Sequence, residues 1–142
     1  MVTGTAGFIG STLAMRLLQR GDEVIGVDNV NDYYDVNLKI SRLERLKAFD
    51  NFHDVRLDIQ DVAGMDALFK KEQPQRVVHL AAQAGVRYSL ENPRAYIDAN
   101  VHGTLNVLEG CRYNGVEHLV FASTSSVYGS NTNMPFFVPD NV

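Results

Sequence analysis

Three glycines, Gly4, Gly7 and Gly10, stand in the heptad Gly4-Thr5-Ala6-Gly7-Phe8-Ile9-Gly10. That spacing suits a turn which carries a strand into a helix and lets a diphosphate lie against the backbone. A Cβ at Gly4 strains the tight turn. One at Gly7 blocks the approach of a pyrophosphate, and one at Gly10 holds the helix off the sheet. The helix that begins at Phe8 and Ile9 adds free N–H groups and a partial positive charge. A purely structural glycine turn would read the same, so the heptad needs company. Asp28 supplies it, eighteen residues after Gly10, where a carboxylate accepts from the hydroxyls of an adenosine ribose. A 2′-phosphate at that place would meet a like-charge repulsion of roughly 4 kcal/mol at ~4 Å and an effective dielectric of ~20. The residues that follow, Asn29, Val30 and Asn31, bring no cation. The pattern therefore favours NAD over NADP.

Three further groups fall where short apolar runs end. Asp58-Ile59 is one; Asp58 either accepts from an adenine amino group or opens the turn into the next helix. Leu80-Ala81-Ala82-Gln83 is the second, with small residues that admit a flat nucleotide or simply pack tightly. Ser123-Thr124-Ser125-Ser126 is the third: four successive hydroxyls that can orient a sugar's hydroxyls or a carboxylate. No His-Asp pair accompanies these serines and no G-x-S-x-G elbow is present, which argues against a serine hydrolase.

The elements that must position these groups follow from periodicity. Met1–Thr3 reads as a strand stub, Phe8–Arg20 as a helix, Glu23–Asp28 as a strand and Val36–Phe49 as a helix. Phe52–Asp58 reads as a strand, Asp61–Glu72 as a helix capped by Asp61, and Arg76–Ala81 as an apolar strand buried on both faces. Asn92-Pro93 opens the longest helix, which runs to about Tyr113 and ends at Asn114-Gly115. His118–Ala122 is the last strand. This βα repetition predicts a doubly wound α/β fold, a parallel Rossmann sheet in the order 3-2-1-4-5 with right-handed crossovers. The first strand is short for a central one, so a truncated first strand is expected. The expected division is a cofactor-binding domain over 1–128 and a loop over 129–142.

Composition narrows the function classes. The chain has 142 residues, 45% of them hydrophobic, and a net charge of −4. That suits one soluble globular domain and gives no electrostatic footprint for nucleic acid. The basic cluster Arg42, Arg45 and Lys47, interleaved with Glu44, reads as a solvated helix face. The single cysteine, Cys111, excludes an internal disulfide and a cysteine zinc site, and it reads as a buried thiol. The four histidines lack metal-ligand spacing, so no metal is expected. No run approaches a membrane span and no signal peptide is evident; a cytoplasmic setting is expected.

VTGTAGFIG, the Asp58-Ile59 pair, HLAAQAGV, DANVHGTLNVLE and FASTSSVYG together resemble the extended short-chain dehydrogenase/reductase family, and within it the nucleotide-sugar 4-epimerases. DNVNDYYDVNLKISRLERL and AQAGVRYSLENP are similar to the branch acting on UDP-glucuronate rather than the galactose enzymes. The resemblance implies that Gly4, Gly7, Phe8, Ile9 and Gly10 hold the pyrophosphate of NAD. Asp28, Asn29 and Asn31 would contact the ribose, and Asp58 and Ile59 the adenine. Leu80, Ala81, Ala82 and Gln83 would line the central stretch, with Asn100 nearby fixing the active-site strand. Thr124 matches the catalytic hydroxyl on the sugar's 4-position; Ser125, Ser126 and Arg87 are candidates for the substrate carboxylate. The implied reaction is a reversible oxidation at C4 of a UDP-sugar, with net isomerisation.

The family's base is a tyrosine followed four residues later by lysine. None of the six tyrosines here has that partner. The resemblance places the pair, and the substrate-binding region, beyond Val142, so the chain is expected to be an inactive N-terminal fragment. It also implies a possible homodimer through the helix that starts at Asn92. Alternative readings are another sugar-nucleotide epimerase, a 4,6-dehydratase, or a non-catalytic NAD-binding module.

Overall fold

A computed structural model describes residues 1–130 together with Pro135 and Phe137. Most of the loop expected over 129–142 lies outside the described residues. Five strands form one parallel sheet: β1 (Val2–Thr3), β2 (Val24–Asp28), β3 (Phe52–Arg56), β4 (Arg76–His79) and β5 (His118–Phe121). Their order is β3-β2-β1-β4-β5, as the sequence predicts. β1 pairs on both sides, Val2 with Gly26 and Val78, Thr3 with Val27 and His79. Below Met1 the longer β2 and β4 flank a cavity of about 540 Å³ lined by Val24, Ile25 and Arg76 among others.

Helices lie on both faces because each crossover is right-handed; the inner strands β1 and β2 are buried on both sides, whereas Val120 and Phe121 of the edge strand β5 are 49% and 51% exposed. On one face α1 (Phe8–Arg20) and α2 (Val36–Lys47) bury Ala14, Leu18, Leu43 and Leu46 against Val2, Val24 and Phe52. On the other, α3 (Val62–Glu72) and α6 (Thr104–Tyr113) bury Met65, Leu68, Phe69 and Val107 against Ile25, Val27 and Val77. Leu43, Leu46 and Phe69 are fully buried, each stabilising the fold by about 1.5–3 kcal/mol. Gly110 admits the Phe69 ring, which a Cβ there would meet at 2.4 Å. Asp35 and Asp61 cap α2 and α3 by accepting from Asn37 N and Gly64 N.

The chain departs from its sequence reading in several places, among them Cys111, which is half-buried rather than buried. The strands stop early, at Arg56 and His79, and the residues beyond them turn into the site. A short helix, α4 (Tyr88–Glu91), precedes Asn92. The long helix is three pieces: α5 (Pro93–Tyr96), a π-helical stretch over Ile97–Gly103, and α6. Asn92 still caps its start, accepting from Ala95 N. Finally, Arg42 is not part of a merely solvated face. It is half-buried and donates to Ala6 O at 3.2 Å and to Tyr34 OH at 3.1 Å.

Candidate functional site

A cleft of about 450 Å³ opens where β1, β2, β3 and β4 end. Its floor is the turn between β1 and α1. Gly4 adopts φ +77°, and a Cβ there would lie 2.9 Å from Ala81 N. A Cβ on Gly10 would sit 2.0 Å from Gly4 O, so only glycine lets α1 rest on the turn. Gly7 precedes α1 with no side chain capping it. The first-turn N–H groups of Phe8, Ile9 and Gly10 thus have no intrahelical partner, and the helix end is electropositive. The starts of α2, α3 and α5 instead satisfy such donors with Asp35, Asp61 and Asn92. The Phe8 and Ile9 side chains are exposed, so what this end offers the cleft is backbone.

Asp28 fastens the turn to the second strand. Its Oδ2 accepts from Ala6 N at 2.9 Å and its Oδ1 from Val30 N at 2.8 Å. The second bond holds Val30 at φ +49°, a conformation that a β-branched residue adopts only under strain. Asn29 reaches across to Asp58, its Nδ2 donating to Oδ2 at 2.8 Å. Asp58 also accepts from Gln60 N at 2.9 Å, so it is a turn residue whose carboxylate faces the cleft. Ile59 is buried under the same wall.

The fourth strand's end is organised by a buried polar network. Thr3 Oγ1 accepts from Leu80 N and Ala81 N, both at 3.1 Å. Those bonds take both lone pairs, so its proton goes to His79 Nδ1 at 2.7 Å. His79 is therefore the neutral tautomer with hydrogen on Nε2, which donates to Thr104 Oγ1 at 3.1 Å. Burial pushes its pKa below the ordinary value. The ring also stacks on Phe121 at 6.0 Å. The loop beyond is clamped by Asn100: Gln83 N donates to Asn100 Oδ1 at 2.7 Å, and Asn100 Nδ2 donates to Gln83 O at 3.0 Å. The π-helical stretch carries Asn100 to this place, as such insertions often do at functional sites.

Most of the residues singled out by sequence meet in this cleft. Gly4, Gly7, Asp28, Asn29, Asn31, Asp58, Ile59, Leu80, Ala81, Ala82 and Gln83 all line it. Asn100 stands behind Gln83. Thr124, Ser125 and Ser126 lie outside the cleft, beyond β5, where Thr124 Oγ1 accepts from Ser126 N at 3.2 Å and starts a 3₁₀ turn over Ser125–Tyr128. Arg87 is exposed and does not line the cleft.

The sequence reading missed Lys39. It comes from α2 and lines the cleft with its ammonium on Asn31 O and Oδ1, both at 2.6 Å. Burial lowers its pKa, against the opposing pull of Asp28 and Asp32. The residues next to Asp28 bring no cation, whereas α2 brings Lys39 back eleven positions later. Tyr33 and Tyr34, also on the cleft wall, entered the sequence reading only within the segment similar to the UDP-glucuronate branch. Among the described residues no group of three His, Cys, Asp or Glu is placed to hold a metal, and no helix is long and apolar enough to cross a membrane.

Known proteins give the same architecture. Protein CapI of Staphylococcus aureus is 51% identical over 142 residues, all of this chain and 42% of the relative. A UDP-glucuronate 4-epimerase of Thermodesulfobacterium geofontis is 49% identical over 93% of this chain and 41% of its own length. The crystal structure of a Bacillus cereus UDP-glucuronic acid 4-epimerase, in complex with UDP-glucuronic acid and NAD, superposes with a TM-score of 0.86 at 32% identity, over 99% of this chain and 44% of that one. The Thermus thermophilus UDP-glucose 4-epimerase complex with NAD superposes with a TM-score of 0.73 at 41% identity, over 87% of this chain and 36% of that one. The chain thus spans less than half the length of these relatives. The profile described as GDP-mannose 4,6 dehydratase matches residues 1–138, and on that match the chain belongs to the GDP-mannose 4,6-dehydratase family, within the extended short-chain dehydrogenases/reductases.

Proposed function

We propose that this chain is the NAD-holding part of a UDP-sugar 4-epimerase whose substrate is UDP-glucuronate. The observation that carries the reading is the uncapped start of α1 above the Gly4–Gly10 turn, opening into a cleft walled by Asp28 and Asp58. The donor set fits a dinucleotide: backbone N–H groups for two phosphates at one end, carboxylate and amide acceptors for a ribose at the other. Bound NAD supplies the hydride acceptor and donor for the sugar's C4.

The chain's own residues bind and orient. The N–H groups of Phe8, Ile9 and Gly10 hold the diphosphate. Asp28, Asn29 and Asn31 take the ribose, and Asp58 with Ile59 the adenine. Leu80, Ala81, Ala82 and Gln83 shape the middle of the cleft, kept in place by Asn100. Thr124 hydrogen-bonds the sugar 4-hydroxyl, and Ser125 and Ser126 receive the substrate carboxylate. Arg87 is the weaker candidate for that charge, since an exposed arginine in a turn needs no such role. The relatives named epimerases favour this reading over a 4,6-dehydratase.

The apolar Ile97, Val101, Leu105 and Leu108 are each 46–53% exposed along one side of the π-helical stretch and α6, and they are the surface for a second copy. Calorimetric titration with NAD and NADP tests the cofactor reading. Saturable binding of NAD with a preference over NADP is expected; no binding of either refutes it. The 142-residue chain alone, having no tyrosine with a lysine four residues on, is expected to leave UDP-glucuronate unchanged by proton NMR.

A further inference from the structure

The loops that leave β2 and β4 meet above the cleft. Tyr33 OH donates to Ala84 O at 2.9 Å, joining segments 51 positions apart. Tyr96 OH donates to the carbonyls of Ala84, at 3.0 Å, and Gly85. The Tyr33 ring leans on Tyr88 with centroids 5.1 Å apart, and Tyr88 leans on Tyr96 at 6.3 Å. Burial tells which side of the cleft this bridge occupies. Thr5 and Ala6, in the floor, are fully buried, whereas Ala84 and Gly85 are exposed and Tyr33 is 41% exposed. Tyr33 and Ala84 both line the cleft, so the bridge stands at its exposed rim and the glycine turn at its buried floor.

The seat of the bridge is fitted to Tyr33. Gly85 adopts φ +93°, and a Cβ there would lie 2.5 Å from Tyr33 Oη. The loop behind Tyr33 is stiffened: Lys39 holds Asn31 through two bonds of 2.6 Å, its ammonium lies 4.3 Å over the Tyr34 ring, and the Tyr34 hydroxyl accepts from Arg42 at 3.1 Å. What spans the opening is less secure. It consists of the Tyr33 hydroxyl, on Ala84 O and the Tyr96 hydroxyl, and a ring contact with Tyr88 on an exposed surface, the kind of contact that opens locally at low free-energy cost.

The geometry points to Tyr33 as a latch: its bond to Ala84 O opens and closes the cleft and sets the rate at which NAD enters and leaves. The inference rests on the NAD reading above and adds to it the control of exchange. An enzyme that returns its hydride in every cycle does not need to swap cofactor between turnovers, so a slow latch does not limit it. A gate also differs from a binding contact in its kinetics. It changes the barrier between free and bound states and leaves their difference nearly alone, so both rate constants move together.

Stopped-flow fluorescence with NADH as the probe, with excess NAD for displacement, reads both rates. Tyr33→Phe keeps the ring on Tyr88 and removes only the hydroxyl. Association and dissociation rate constants are both expected to rise by about two- to tenfold, the range of one net hydrogen bond, with Kd changed less than about twofold. Gly85→Ala, which displaces the hydroxyl with Tyr33 intact, is expected to accelerate both rates too and to add little in the Tyr33→Phe background. A rise in dissociation alone, with Kd weakened in proportion, overturns the latch and makes Tyr33 an ordinary cofactor contact. Unchanged rates in Tyr33→Phe overturn it as well, while leaving the NAD reading intact. Failure of the unaltered protein to bind NADH overturns the NAD reading and the latch with it.

Discussion

Replacing His79 by phenylalanine tests the buried network that shapes the cleft. An aromatic ring able to stack on Phe121 is kept, and both nitrogens are lost. The Thr3 hydroxyl then has no acceptor: its lone pairs are already taken by Leu80 N and Ala81 N, and Thr3 is 0% exposed. Leaving such a buried donor unsatisfied costs about 1–3 kcal/mol. Thr104 is only half-buried and can turn to water, so it adds little. The expected loss at pH 8 is therefore about 1–3 kcal/mol, a large share of a typical domain's stability of about 5–15 kcal/mol.

The same geometry fixes a pH dependence. Protonating His79 would put a second donor against the Thr3 hydroxyl, which has no lone pair left for it, and burial already disfavours the charge. The imidazole's pKa is lowered by folding, so below its ordinary 6.5 the unfolded chain binds the proton and the folded chain does not. Its contribution to stability is complete above pH 6.5 and is lost as the pH falls from there toward the lower folded value. The slope contributed by this one group is at most about 1.4 kcal/mol per pH unit. Urea denaturation of the unaltered protein and of His79→Phe at pH 8, 7, 6 and 5.5 reads it directly, since every other titrating group is common to both. The gap between the two proteins is expected to narrow on acidification. A gap that stays constant from pH 8 to 5.5 would refute the tautomer and the network drawn from it.

Three other substitutions follow from the site. Gly10→Ala places a methyl 2.0 Å from Gly4 O; it should destabilise by about 1–3 kcal/mol and weaken NADH binding by at least about tenfold, and near-native binding in a fluorescence titration would contradict the close approach. Asp28→Asn keeps an acceptor for one of the two N–H groups and removes the charge; the NADP-to-NAD affinity ratio should rise by about tenfold in calorimetry, part of the repulsion of up to about 4 kcal/mol, and an unchanged ratio would clear Asp28 of that role. Thr5→Val removes a fully buried hydroxyl that has no hydrogen-bond partner; stabilisation of about 1 kcal/mol is expected by urea denaturation, and a loss of stability would mean that the hydroxyl has a use.

Much of this protein is local and could be read without coordinates. The glycine spacing specifies a strand–turn–helix unit because a Cβ at Gly4 or Gly10 meets backbone in any such unit. Asp61 and Asn92 announced helix starts because their side chains satisfy N–H groups only three residues on. The βα alternation left one economical sheet order, since parallel neighbours need right-handed crossovers. The ends of strands then marked the site, as open α/β sheets place ligands there.

The remainder depends on which distant segments the sheet brings together. Arg42 read as an ordinary helix cation and Lys39 drew no reading; α2 packing beside α1 brings them to Ala6 and Asn31. Thr3 and His79 lie 76 positions apart and share a proton only because β1 pairs with β4. Tyr33 and Ala84 meet only because the loops after β2 and β4 flank the same short strand. The π-helical stretch has no composition that distinguishes it from the helix around it; packing against the loop at Gln83 selects it. Local sequence determined the turn, the caps and the strand order, because those depend on backbone sterics and nearest hydrogen bonds. The cleft's charges, its buried histidine and its latch were decided by tertiary structure, because each depends on a partner that no local interaction selects.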